Sequence, residues 1–152
     1  MAEVKKPMAM NITVDDGSRR VPILNTEGEE IGVFTFRPTD IGIIERFNRL
    51  AEHFNEIVAP LETVPLDDSF DLTDPALVDA LSEAERRLGE AVNALFGSDG
   101  AAEAFFGRMH PFSPVNGEFY ATQVLQKVGA FIGQQFDTET KAMSKKAKKY
   151  LK

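Results

Sequence analysis

Ile43-Ile-Glu-Arg-Phe47-Asn-Arg-Leu50-Ala-Glu-His-Phe54-Asn-Glu-Ile57-Val-Ala-Pro-Leu61 decides the fold class. Its apolar residues Ile43, Phe47, Leu50, Phe54, Ile57 and Leu61 are spaced 4, 3, 4, 3, 4. That rhythm puts side chains on one face of an α-helix. Glu45, Arg46, Arg49, Glu52, His53 and Glu56 fall on the other side. Thr39 or Asp40 stands where a cap for the first free amides belongs, and Pro60 predicts an end at about residue 59. The first main helix is therefore expected over 39–59.

Working outward, Leu77, Leu81, Ala84, Leu88, Ala91 and Leu95 repeat the same rhythm. Asp74-Pro75 supplies a capping acid followed by proline at the first helical position, and Gly97 suits a C-terminal cap. This second helix spans 74–96. Each seam covers fewer than three heptads, so the two are expected to pair within one chain as an antiparallel hairpin rather than as an intermolecular coiled coil. The joining loop, Glu62 to Thr73, is the chain's densest acidic patch with Asp67, Asp68, Asp71 and the capping Asp74.

Ala101 to Phe106 predicts a short helical turn. Gly117-Glu118 is read as opening a third main helix over 117–136, with Tyr120 or Ala121, then Val124, Leu125, Val128, Phe131, Ile132 and Phe136 as a broad inward stripe. Gly129 and Gly133 would let another backbone approach closely. Residues 137–152 form a basic tail that extends the same helix.

Upstream of the helices the period changes. Met10, Ile12 and Val14 alternate with polar neighbours, the pattern of a half-buried strand. Asp16-Gly17 supplies a turn, Val21 to Leu24 a second strand with Pro22 marking an edge, and Thr26 to Glu29 a second turn. Ile31 to Phe36 is the strongest strand and puts Phe34 and Phe36 on one face. The expected architecture is mainly α (α+β), in one domain over 1–152. It comprises a small N-terminal antiparallel β meander (8–37) packed on a three-helix core, with the basic C-terminal helical tail.

The chain has 152 residues, no cysteine and a net charge of −7. Six lysines and no acid lie in 141–152, which leaves 11 basic against 24 acidic side chains elsewhere, a balance of −13. An acidic body repels phosphates, so nucleic acid binding would have to rest on the tail alone. Without cysteine there is neither a disulfide nor a thiolate metal site, which fits a reducing compartment. No apolar run is long enough for a bilayer, and Met1 to Met10 does not read as a signal peptide. A cytoplasmic protein is the expectation.

No phosphate loop, dinucleotide fingerprint or HExxH pair is present. His53 falls on a polar helix face. His110, beside Ser113, reads as a general base or metal ligand on one view, and on the other as a ring that fixes its loop by bonding a carbonyl. The loop aspartates do not match an EF-hand, so no metal, cofactor or catalytic residue is assigned. The aromatic loop is more informative. Half of the 14 Phe and Tyr side chains lie between Phe105 and Phe136, around Gly107-Arg-Met-His-Pro-Phe-Ser-Pro-Val-Asn-Gly117. Phe105, Phe106, Met109, His110, Phe112, Phe119 and Tyr120 are the candidate partner-binding residues. Phe105 and Phe106 point about 100° apart on a helix, so at least one is expected in the core.

The block Ala104-Phe-Phe-Gly-Arg-Met-His-Pro-Phe-Ser-Pro-Val-Asn-Gly-Glu-Phe-Tyr120, followed by Val124-Leu and Val128-Gly-Ala-Phe-Ile132, resembles small phage and prophage proteins of Gram-positive bacteria and related gut phages. Gly32-Val-Phe-Thr-Phe-Arg-Pro-Thr-Asp40 resembles the same group, whose members are labelled tail assembly chaperones. The resemblance implies a non-enzymatic protein of the bacterial host cytoplasm. It would hold the long tape measure protein in solution while tail tube subunits polymerise around it; the residues themselves offer the aromatic loop and the exposed flank of the third helix for that contact. Self-association is a further expected contact. The competing readings are a structural virion component (tail or connector) and a nucleic-acid-binding module using the lysine tail.

Overall fold

The computed structural model describes residues 10–62 and 74–150, with the backbone alone at 60, 62 and 147–150. Arg19–Leu24 (β1) pairs antiparallel with Glu30–Phe36 (β2), Val21 opposite Phe34, with a bulge between Ile23 and Leu24. Asn25 builds the turn: its side-chain oxygen accepts from the amides of Glu27 and Glu29, each at 2.9 Å, and Gly28 takes φ +81°. Alternation puts Val21, Ile23, Phe34 and Phe36 on the face toward the helices and leaves Arg20, Pro22, Leu24 and Thr35 exposed.

The expected three-strand meander is corrected to this two-strand hairpin. Among the described residues, Met10, Ile12 and Val14 stand in solvent and pair with nothing. The reason is the turn that follows them. Asp15 and Asp16 accept from the amides of Gly17 and Ser18, and Asp16 Oδ2 receives Arg37 Nη1 at 3.3 Å. These bonds build a local turn over residues 15–18 and hold it beside Arg37, the residue after β2.

The first helix, α1, spans Gly42–Glu62. Asp40 caps it, accepting from the Gly42 amide at 3.0 Å. Its seam is inward as expected: Ile43, Leu50, Ile57 and Leu61 are buried, with Phe47 and Phe54 half-buried. The expected end at 59 is corrected. Pro60 has no amide for the Glu56 carbonyl, yet the helix continues through it. Arg87 Nη1, from the neighbouring helix, reaches that carbonyl at 3.3 Å instead, and burial of Leu61 anchors the last turn.

Helix α2 spans Pro75–Phe96, capped by Asp74 accepting from Ala76 at 2.9 Å and closed by Gly97 at φ +62°. It lies antiparallel to α1. Arg46 near the start of α1 donates to the Leu95 carbonyl at the end of α2, at 2.9 Å, and pairs with Asp40 at 3.2 Å. Arg46 is thus half-buried, not simply part of a solvated face.

Three shorter elements follow: α3 (Ala101–Phe106), β3 (Pro114–Val115) and β4 (Glu118–Phe119). Asn116 and Gly117 join the two strands with φ +53° and +84°, the paired positive values of a type I′ hairpin turn. Gly117-Glu118 therefore turns a hairpin and does not open a helix. The last helix, α4, begins at Tyr120 and runs to Tyr150.

An aromatic cluster joins the hairpin to the helices. Phe34 and Phe36 stack at 5.0 Å, Phe96 meets both edge-on at 4.9 and 4.8 Å, and Phe105 and Phe131 close the sides. Such arrangements let the positive ring edge meet the negative face. Ala121, Val124, Val128 and Ile132 of α4 are buried, as the stripe requires. From Asp137 to Lys146 every residue is exposed, so the basic tail continues α4 beyond its packed stretch. No helix among the described residues is long and apolar enough to cross a membrane.

Candidate interaction surface

The loop between α3 and α4 is held mostly by its own backbone. Gly107 donates to the Glu103 carbonyl at 2.7 Å, and Ser113 to His110 at 3.1 Å. The Tyr120 and Ala121 amides, at the start of α4, donate to Ser113 and Pro111 at 2.9 and 2.7 Å. Helix amides otherwise left bare at an N-terminus are so satisfied by the loop. Pro111 is among the largest fully buried side chains, which pins the loop to the body.

The seven candidate residues divide by position. Phe112 is 4% exposed, meets Phe119 edge-on at 5.2 Å and approaches Phe54 of α1. Phe105 lies half-buried between Phe34 and Phe96. Phe106 meets Tyr120 edge-on at 5.9 Å, and the Tyr120 hydroxyl donates to the Phe105 carbonyl at 3.3 Å. Partial burial raises the Tyr120 phenol above its ordinary pKa. These five rings spend their area on packing, so the Phe105-Phe106 pair is not an exposed anchor. Met109, 43% exposed, is the loop's free apolar side chain among the seven.

His110 is half-buried. Its Nδ1 accepts from the Phe112 amide at 3.1 Å, so the ring fixes the turn through an amide and not through the expected carbonyl. Nε2 lies 3.6 Å from Glu85, too far for a hydrogen bond. His110 and Ser113 line an apolar cavity of about 310 Å³ with Leu61, Leu77, Leu81, Phe112 and Phe119. With Nδ1 engaged, the ring has no free lone pair for a proton from Ser113 in this tautomer. His53 sits exposed, 3.2 Å from Glu56. Among the described residues no three His, Asp or Glu side chains gather as a metal site; Asp67, Asp68 and Asp71 lie outside those residues.

A second surface lies along the flank of α4. Phe47, Ala51 and Phe54 of α1 and Thr122, Leu125, Gln126, Gly129 and Ala130 of α4 form an open groove of about 410 Å³. None of these eight side chains is charged. Gly129 packs closely here: a Cβ would stand 3.0 Å from the Phe47 ring, which would have to shift by a few tenths of an ångström. The neighbour that Gly129 admits is thus a side chain, not the backbone expected, and Gly133 faces open space. The sequence signal for the groove is present in the small residues 129 and 130, but which helix faces them is not readable from one seam.

No protein-family model, no curated protein and no solved structure matches this chain.

Proposed function

We propose that this protein is a non-enzymatic phage tail assembly chaperone that binds the tape measure protein in the bacterial host cytoplasm before and during tube polymerisation. The observation that carries the reading is the uncharged α1–α4 groove opening on a strongly acidic body. A long helical client needs an apolar trough that takes one face of a helix, and a carrier whose net charge keeps the complex dispersed. The groove offers the first, and the exposed Met109 of the aromatic loop offers a second apolar contact. The −13 balance of the first 140 residues offers the second.

The loop supports this role by rigidity. Its rings and the His110–Phe112 bond hold the start of α4, and hence the groove wall, in one position. A preformed trough lowers the ordering cost of binding.

Co-expression tests the reading. Soluble yield of a phage tape measure protein should rise severalfold when the two are made together. An unchanged yield contradicts chaperoning.

A further inference from the structure

The strand pattern Met10-Asn-Ile-Thr-Val14 has no place in the body that its own chain builds. Met10, Ile12 and Val14 are 98, 94 and 74% exposed, three large apolar side chains in alternation on an extended segment. Isolated exposed apolar residues are ordinary, but an alternating row is what a half-buried strand presents. In the same molecule, β1 has one edge paired to β2 and the other unpaired among the described residues. Beside that hairpin lies an apolar cavity of about 230 Å³, lined in part by Val21, Ile23, Phe34, Phe105, Val128 and Phe131.

We infer that Met10–Val14 of one copy adds as a strand to the free edge of β1 in a second copy, the two chains exchanging arms reciprocally. The geometry of residues 15–18 sets the choice of a second copy over the same chain. Asp16 is tied to Arg37, and Gly17 sits beside Thr39, so the arm leaves the body on the β2 side. Reaching its own β1 edge would require breaking that ion pair and reversing the turn at Gly17, φ +79°. An identical neighbour meets the arm without either change. Added there, Met10, Ile12 and Val14 continue the apolar face of Val21 and Ile23 over the cavity. Pro22 withholds one amide from the edge, which keeps the added ladder short. Reciprocal exchange is self-complementary and closes as a twofold dimer.

The full chain in solution tests this by light scattering after size exclusion. The expected mass is twice 16.8 kDa. The double variant Ile12→Lys, Val14→Lys should run as a monomer at the same concentration with unchanged helical circular dichroism. A monomeric parent, or a variant that remains dimeric, overturns the inference. Because the chain has no cysteine, a second test is independent of stability. Chains carrying Thr13→Cys and Leu24→Cys, both on the solvent face of the extended sheet, should be joined by a short bismaleimide when mixed, and neither should cross-link alone. No cross-link in the mixture overturns the inference equally.

Discussion

Arg87 donates to the Glu56 carbonyl, at 3.3 Å, that Pro60 leaves without its helical amide. A proline in the last turn removes one bond and frees one carbonyl. Here the neighbouring helix supplies the donor, which also ties the middle of α2 to the last third of α1. Arg87→Met should lower unfolding free energy by about 1 kcal/mol, the net worth of a hydrogen bond to a charged donor at a half-exposed site. In Pro60→Ala the same change should cost measurably less, because the helix amide takes the carbonyl. A double-mutant cycle in urea reads the coupling; additive effects would show that the two residues are independent.

Gly32 of β2 touches the backbone of α3. A Cβ there would stand 2.0 Å from the Ala104 carbonyl oxygen, which no side-chain rotation relieves. Gly32→Ala should therefore push the hairpin off α3 and destabilise by roughly 2–3 kcal/mol, the range of overpacked cores. Gly133→Ala, with nothing within 4 Å, should instead stabilise by about 0.5–1 kcal/mol. Equal effects in thermal unfolding would contradict the contact.

His110 is assigned to the turn and not to chemistry. His110→Ala should cost about 1 kcal/mol by freeing the Phe112 amide. His110→Asn, whose side-chain oxygen accepts at the same separation from the backbone, should recover most of it. A ring needed as a base would show no such rescue in function, with both variants equally inactive.

Asp40 gives a pH signature. The Gly42 amide, and then Arg46, hold its carboxyl below the usual aspartate pKa, against a smaller opposing effect of burial. A depressed folded pKa contributes stability that is complete above the ordinary value, about 4. That contribution fades as pH falls through the lower folded value. The melting temperature of the parent should exceed that of Asp40→Asn at pH 7, and the gap should close on acidification below pH ~4. A gap independent of pH would place the effect elsewhere.

What the sequence made legible follows from how local each signal is. The two seams of α1 and α2, the Asp74 and Gly97 caps and the inward stripe of α4 depend on one helix at a time, and they stand where the spacing put them. Pro60 misled because the remedy, Arg87, lies 27 residues away. Arg46 was assigned to solvent for the same reason, since its Leu95 partner is 49 residues off. Met10–Val14 carries a strand pattern, but pairing depends on a partner edge that the local alternation does not specify, and the segment stands unpaired among the described residues. Asn116-Gly117 is the strongest short hairpin signal in this stretch, masked by the helix that begins three residues later. At the candidate surface, residue type alone did not separate rings that build the loop from the one side chain that leaves it exposed.

The α1–α4 groove is the surface on which the proposed function rests, and blocking it tests the proposal most directly. Ala130→Arg puts a charge into the groove at an exposed helix position, where folding should be unaffected. Co-purification of the tape measure protein on the tagged parent chain should fall at least tenfold with this variant, at unchanged circular dichroism. Retention equal to the parent's would contradict the groove as the client site.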